Sequence, residues 1–348
     1  MNYAPLTRDE VKSVINGKSR AARIPVFIHM WVHDETFGPR QEEILQILRK
    51  YPADIQKIYL RIPEVFTAPA DDPGYRWLPF DKPASEKASG IEEQVGIDDW
   101  SKLDEVIAKF PSPNYKNLLA NNVAADGRYR LGHWWFGLFE RHWSLRGMTN
   151  ALMDYYTNPD EVHRLFRALT DFYKRLIERI ATEAHCDGVF FSDDLGTQTC
   201  PFFSPDIFKE FFLPYYTELF GKAHALGMHS WLHACGNIKP FIPELIGAGL
   251  DVLHPIQKYT MDERDIAATF GGQITFFAGM DVQQTIPWGT PEQVRAEVRN
   301  LIDTYWRPGE GRCMITAGNG INQDCTTESL EAFFNEAFTY GTQHANAK

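Results

Sequence analysis

Eight short apolar runs recur along this chain, at 24–30, 55–61, 129–135, 188–192, 229–233, 251–254, 274–278 and 313–317. Runs of this length suit strands buried on both faces. Most are followed by a stretch with helical periodicity, and these stretches carry their own start and stop signals. Residues 41–50 follow the first run. Pro159 stands at the head of 160–183, where its fixed φ suits a first helical turn. Ser204 and Pro205 open a helix running to about Leu226 and ending at Gly227. Thr290 and Pro291 introduce 292–305, and 327–340 ends at Gly341. Eight strand–helix units in 348 residues predict a closed α/β barrel, the (β/α)8 or TIM barrel, as one domain over 1–348. An open doubly wound sheet would want a glycine-rich phosphate loop after the first strand, and Trp31-Val32-His33-Asp34 is no such loop.

Residues ahead of the first strand are expected to form an N-terminal helical extension. The stretch 63–122, rich in proline, glycine and charge, reads as an insertion after the second strand, with a helix near 99–110. Insertions at that face of a barrel commonly cap the site. A net charge of −11 without basic clusters argues against nucleic acid as a partner. The five cysteines are odd in number, the N-terminus is polar, and no apolar run approaches the roughly 20 residues needed to span a bilayer. A cytoplasmic protein with reduced thiols and no membrane partner is the expectation.

Barrel enzymes collect their chemistry at the C-terminal ends of the strands. Those ends carry His29 and His33, Arg61, His133, Asp193 and Asp194, His233 and Cys235, His254 and Gln257, Asp281, and Asn319. Burying each without a partner would cost on the order of 1–3 kcal/mol, so a shared polar mouth is expected. Adjacent strand-end residues point apart, so one of Asp193 and Asp194 should enter it, and Asp193 is the expected one. Glu140-Arg141 reads as an ion pair of the scaffold.

His233 and Cys235, two apart at the end of an apolar run, face the same side of an extended backbone, and both are good zinc ligands. The run Leu232-His233-Ala234-Cys235-Gly236-Asn237 is joined by three further stretches. They are 186–198, with Phe190-Phe191-Ser192-Asp193-Asp194-Leu195-Gly196 at its centre; 247–257, ending Leu253-His254-Pro255-Ile256-Gln257; and Ile315-Thr316-Ala317-Gly318-Asn319-Gly320-Ile321. Together they resemble the uroporphyrinogen decarboxylase superfamily, and in character its zinc-dependent, corrinoid-linked methyltransferase branch. The resemblance implies methyl transfer between cobalt and a small methylated donor, or a thiol or pterin acceptor, with cobalamin free or on a partner corrinoid protein. It implies Asp193 and His233 as catalytic residues, and His29, His33, His133, Asp194, His254, Gln257, Asp281 and Asn319 lining the substrate site. Zinc would lie on His233 and Cys235. The branch has a second cysteine where this chain has Asn319, which leaves Cys325, an aspartate or Glu140 for the third ligand. Cys313 lies roughly 13 Å below the mouth, at about 3.3 Å per strand residue. A decarboxylase-like lyase is the alternative, but its arginine-rich loop after the first strand has no counterpart in Phe27-Ile28-His29-Met30-Trp31-Val32-His33-Asp34. A non-catalytic barrel that binds a corrinoid or small molecule is the remaining one.

Overall fold

The computed structural model describes residues 3–29, 37–75, 77–78, 95–115, 118–119 and 126–346. Among the described residues seven parallel strands hydrogen-bond in chain order: β1 Ile55–Tyr59, β2 Tyr129–Trp134, β3 Gly188–Ser192, β4 His229–His233, β5 Val252–His254, β6 Thr275–Met280 and β7 Cys313–Ala317. Helices connect them on the outside, in the manner of a TIM barrel. The first expected strand is the exception. Its segment forms only an isolated bridge, Val26 to Ile315 of β7. Pro25 has no N–H to give, although its carbonyl accepts from Ile315. Toward β1 the ladder is replaced by a side chain. The Asp54 carboxylate accepts from the Val26 N–H (2.7 Å) and the Leu6 N–H (2.7 Å), and it pairs with the buried Arg23 guanidinium. The Asp54 N–H in turn donates to the Val26 carbonyl. The segment thus fills the gap between β7 and β1.

The expected N-terminal helix is Arg8–Ile15, opened by a capping box between Thr7 and Glu10. Helix Pro159–Thr182 starts on its proline, as its sequence predicts. Ser204 caps a helix that widens into a π turn over Phe208–Phe212 and continues as Leu213–Ala225. Pro214 lies just beyond that wide turn, and its missing N–H cannot complete an α-helical bond there. The insertion is tied at its base by an antiparallel bridge between Leu60 and Leu119. Its Trp77 is buried against Phe110 and Phe172, with the Arg141 guanidinium over the ring. Its expected helix appears as Trp100–Lys102 and Leu103–Ala108. Among the described residues no helix is long and apolar enough to cross a membrane.

Inside the barrel, Phe27, Phe190, Trp231 and Phe277 pack with ring centroids 5.6–6.0 Å apart along the chain of contacts. This aromatic layer is the floor on which the polar mouth stands.

Candidate metal centre at the barrel mouth

Four imidazoles sit directly above that floor. The Phe190 ring contacts His29, His133, His233 and His254, with centroids 5.0–6.4 Å away. His233 and His254 end neighbouring strands and are register partners, so their rings face the same way. Their Nδ1 atoms are 2.7 Å apart. His233 turns its other nitrogen outward: Nε2 lies 3.3 Å from Cys235 Sγ and 3.3 Å from Asp194 Oδ1. The Cys235 N–H donates to the same carboxylate oxygen at 2.8 Å, and the thiol donates to Asn319 Oδ1 at 3.3 Å.

Two glycines bring these donors together. A Cβ on Gly236, at φ +86°, would fall 2.1 Å from the backbone carbonyl of Gly196. The loops after β3 and β4 therefore touch backbone to backbone, which carries Asp194 against Cys235. Gly236→Ala should force the two loops apart and weaken metal binding by roughly 10–100-fold, with a smaller loss of stability. Titration with zinc would read it, and unchanged affinity would show that the contact does not position the donors.

The electrostatics follow from burial and pairing. Burial alone would push His233 down, but Cys235 and the Asp194 carboxylate outweigh it and hold the ring well above the ordinary histidine range. Asp194 is correspondingly lowered: burial opposes the shift, and the His233 hydrogen bond overcomes it. Burial raises the Cys235 thiol. Burial and the neighbouring His233 drive His254 well below its usual range, so a charged His233 donates Nδ1–H to a neutral His254. His133 is also held neutral, chiefly by burial, and gives Nδ1–H to the Phe190 carbonyl at 3.0 Å. Trp135, which the strand-end reading passed over, edges onto His133 at 4.5 Å and His233 at 6.1 Å. Its position two residues beyond His133 was the signal for it.

Several expected positions are corrected. Asp193 does not face the mouth. Its carboxylate accepts the N–H groups of Leu138 (2.7 Å), Phe139 (3.1 Å) and Glu140 (2.8 Å) and the Tyr216 hydroxyl (2.6 Å). It caps helix Phe139–Arg146 from the end of the neighbouring strand β3, and Asp194 is the carboxylate that enters. Cys325 is not with His233 and Cys235: its thiol lies against Asn322 Oδ1 at 3.7 Å. Gln257 accepts the Gly236 N–H at 2.7 Å and so supports the loop after β4 that carries Cys235. Asp281 binds the Tyr259 hydroxyl at 2.7 Å and caps the turn after β6. A cavity of about 40 Å³ beside Gln257, Asp281 and Asn319 takes little more than water. His33 lies outside the described residues.

Glu140 does not pair with Arg141, whose guanidinium stacks between Trp77 and Phe136. It accepts instead from the Ser192 hydroxyl. Burial first, then the charges of Asp194 and Asp193, push its carboxyl up to about 8 from 4.5. A raised carboxyl binds its proton more tightly in the folded chain. Its contribution is therefore complete below pH 4.5 and is lost as pH rises through about 8. In metal-free protein, Glu140→Gln should flatten the fall in melting temperature across that window. A variant as pH-sensitive as the parent would assign the dependence to other groups.

Residues 143–340 match the family model described as Uroporphyrinogen decarboxylase (URO-D). The chain belongs to the URO-D family. A methylated-thiol–coenzyme M methyltransferase of Methanosarcina mazei is 25% identical to this family member over 195 residues. That match takes in 54% of this chain and 47% of the relative, so the chain spans about half of the length of the protein it matches. A solved methyltransferase from Methanosarcina mazei superposes with a TM-score of 0.60 at 12% identity, covering 97% of this chain and 99% of that one. At that identity the superposition speaks for the barrel fold. The sequence relative is a methyltransferase by name, so the likeness within the URO-D family runs toward its methyltransferase branch.

Proposed function

We propose that this URO-D family member is a methyltransferase that moves a methyl group between a small thiol or methylated donor and a corrinoid. The observation that carries this reading is the trio His233 Nε2, Cys235 Sγ and Asp194 Oδ1, which stands in a family whose methyltransferases this chain resembles. Donors bound to one zinc at about 2.0–2.3 Å in tetrahedral array lie roughly 3.3–3.7 Å from each other. The two 3.3 Å separations around His233 fit that spacing without rearrangement. His233, Cys235 and Asp194 would hold the ion, and the fourth position would be left for substrate. Of the candidates for the third ligand, Cys325, an aspartate or Glu140, this reading takes the aspartate, Asp194. When bound, zinc supplies Lewis acidity that keeps a coordinated thiol deprotonated at neutral pH.

The chain's own groups do the rest. His254 fixes the orientation of the His233 ring through the Nδ1 contact, as outer partners of ligating histidines do. Before an ion is bound, Asn319 receives the Cys235 thiol hydrogen and so aims the sulfur into the mouth. Trp135 and Tyr59 flank His133 and give the mouth apolar walls for a small methylated group. The aromatic floor keeps water from entering below. This chain has no Asp-x-His-x-x-Gly run with which to hold cobalt itself, so the corrinoid is taken as presented from outside, free or on a carrier protein. Methyl transfer requires near-contact of the reacting atoms, and docking over the mouth supplies it.

Purified protein mixed with methylcobalamin and a small thiol should change the cobalamin absorption spectrum, and Cys235→Ala should lose the change. If methylcobalamin, free or protein-bound, is unaltered at any concentration with any thiol, amine or methoxy substrate, the reading fails.

A further inference from the structure

The proposed ion uses only one face of His233. The other face looks onto a second set of donors. His29, His233 and His254 each offer a ring nitrogen within 4.8 Å of the others, and all three side chains are buried. The His29 and His254 rings meet edge to face at 4.3 Å between centroids, and His29 lies 5.7 Å from His233.

The second observation is His29 itself. Its ring is buried, yet among the described residues neither Nδ1 nor Nε2 has a hydrogen-bond partner. Burying one such polar atom unpaired costs on the order of 1–3 kcal/mol, and here both atoms of one ring are left so. Packing does not explain the choice of residue. A leucine or phenylalanine would fill the space above Phe190 and Phe277 at no such cost. The backbone at this position is also held in place, because the Lys57 ammonium donates to the His29 carbonyl.

We propose that His29, His254 and the Nδ1 face of His233 form a second, all-nitrogen cation site, distinct from the Cys235–Asp194 donors and sharing the His233 ring with them. Three imidazole nitrogens suit a late first-row divalent ion such as zinc, cobalt or nickel, and give hard calcium or magnesium little to bind. With both faces occupied, His233 bridges two ions, and the last N–H proton of its ring leaves to solvent. The site rests on the metal reading above only through His233. It does not need the methyl-transfer reading.

The test uses the whole chain, stripped with a chelator, dialysed, and titrated with cobalt(II) while the visible and near-ultraviolet spectra are recorded. Wild-type protein should take up a second equivalent of cobalt beyond the first. Cys235 bound to cobalt gives a thiolate charge-transfer band, and the histidine site gives none. His29→Gln should lose the second equivalent and keep the thiolate band. Cys235→Ala should lose the band and keep an equivalent held by nitrogen. Wild-type uptake that stops at one equivalent carrying the thiolate band overturns the proposal, as does a His29→Gln variant that binds as much as the parent. A thiolate band absent from wild type, with histidine-bound cobalt still present, would instead sink the Cys235 site and leave this one standing. His254→Gln is the second variant should His29→Gln fold poorly, and it should lose the same equivalent.

Discussion

His233→Ala should be the most damaging single substitution at the mouth, removing both zinc and methyl transfer. The ring touches every other donor: Cys235 and Asp194 through Nε2, and His254 through Nδ1. Disturbing an outer partner of a metal ligand already costs about 10–100-fold in affinity, so loss of the ligand itself should exceed roughly 100-fold. Zinc content after dialysis against a weak chelator and the rate of methylcobalamin turnover measure the two losses. A variant that retains zinc at the parent's affinity would show that Cys235 and Asp194 hold no ion through His233.

Asp193→Ala should produce the largest loss of stability without direct chemistry. Three backbone N–H groups and the Tyr216 hydroxyl converge on this one buried carboxylate. Each buried donor left unsatisfied costs on the order of 1–3 kcal/mol, and several lose their partner at once. Helix Phe139–Arg146 would lose its cap, and Glu140 at its first turn would lose its position beside Ser192. A chemical denaturation series reads this directly. Wild-type stability combined with lost turnover would return Asp193 to the chemistry of the mouth.

These two aspartates show how far the sequence could be read. The alternation of runs made the barrel legible, and the two-residue spacing of His233 and Cys235 put both on one face. The spacing also implied that Asp193 and Asp194 point apart, but not which of them enters. That choice is made some fifty residues away. Leu138, in the N-cap place of helix Phe139–Arg146, has no side chain that could accept a hydrogen bond, so the cap must come from elsewhere in the fold. The absent cap was visible in the chain, but the residue supplying it was not. The first strand failed for a local reason, since Pro25 removes a ladder donor and Asp54 substitutes a carboxylate for a backbone partner. Cys325 was placed by loop closure, which spacing cannot foresee.

The backbone contact between Gly196 and Gly236 has a consequence for how quickly the mouth can be loaded. Asp194 and Cys235 belong to two loops that are already seated on each other, so neither of these loops has to fold before the proposed ion binds. An arriving ion meets donors at their final spacing, and little chain entropy is lost on capture. Loading should then be limited by shedding the ion's own water shell, and its rate should vary with the identity of the metal far more than with the viscosity of the solvent.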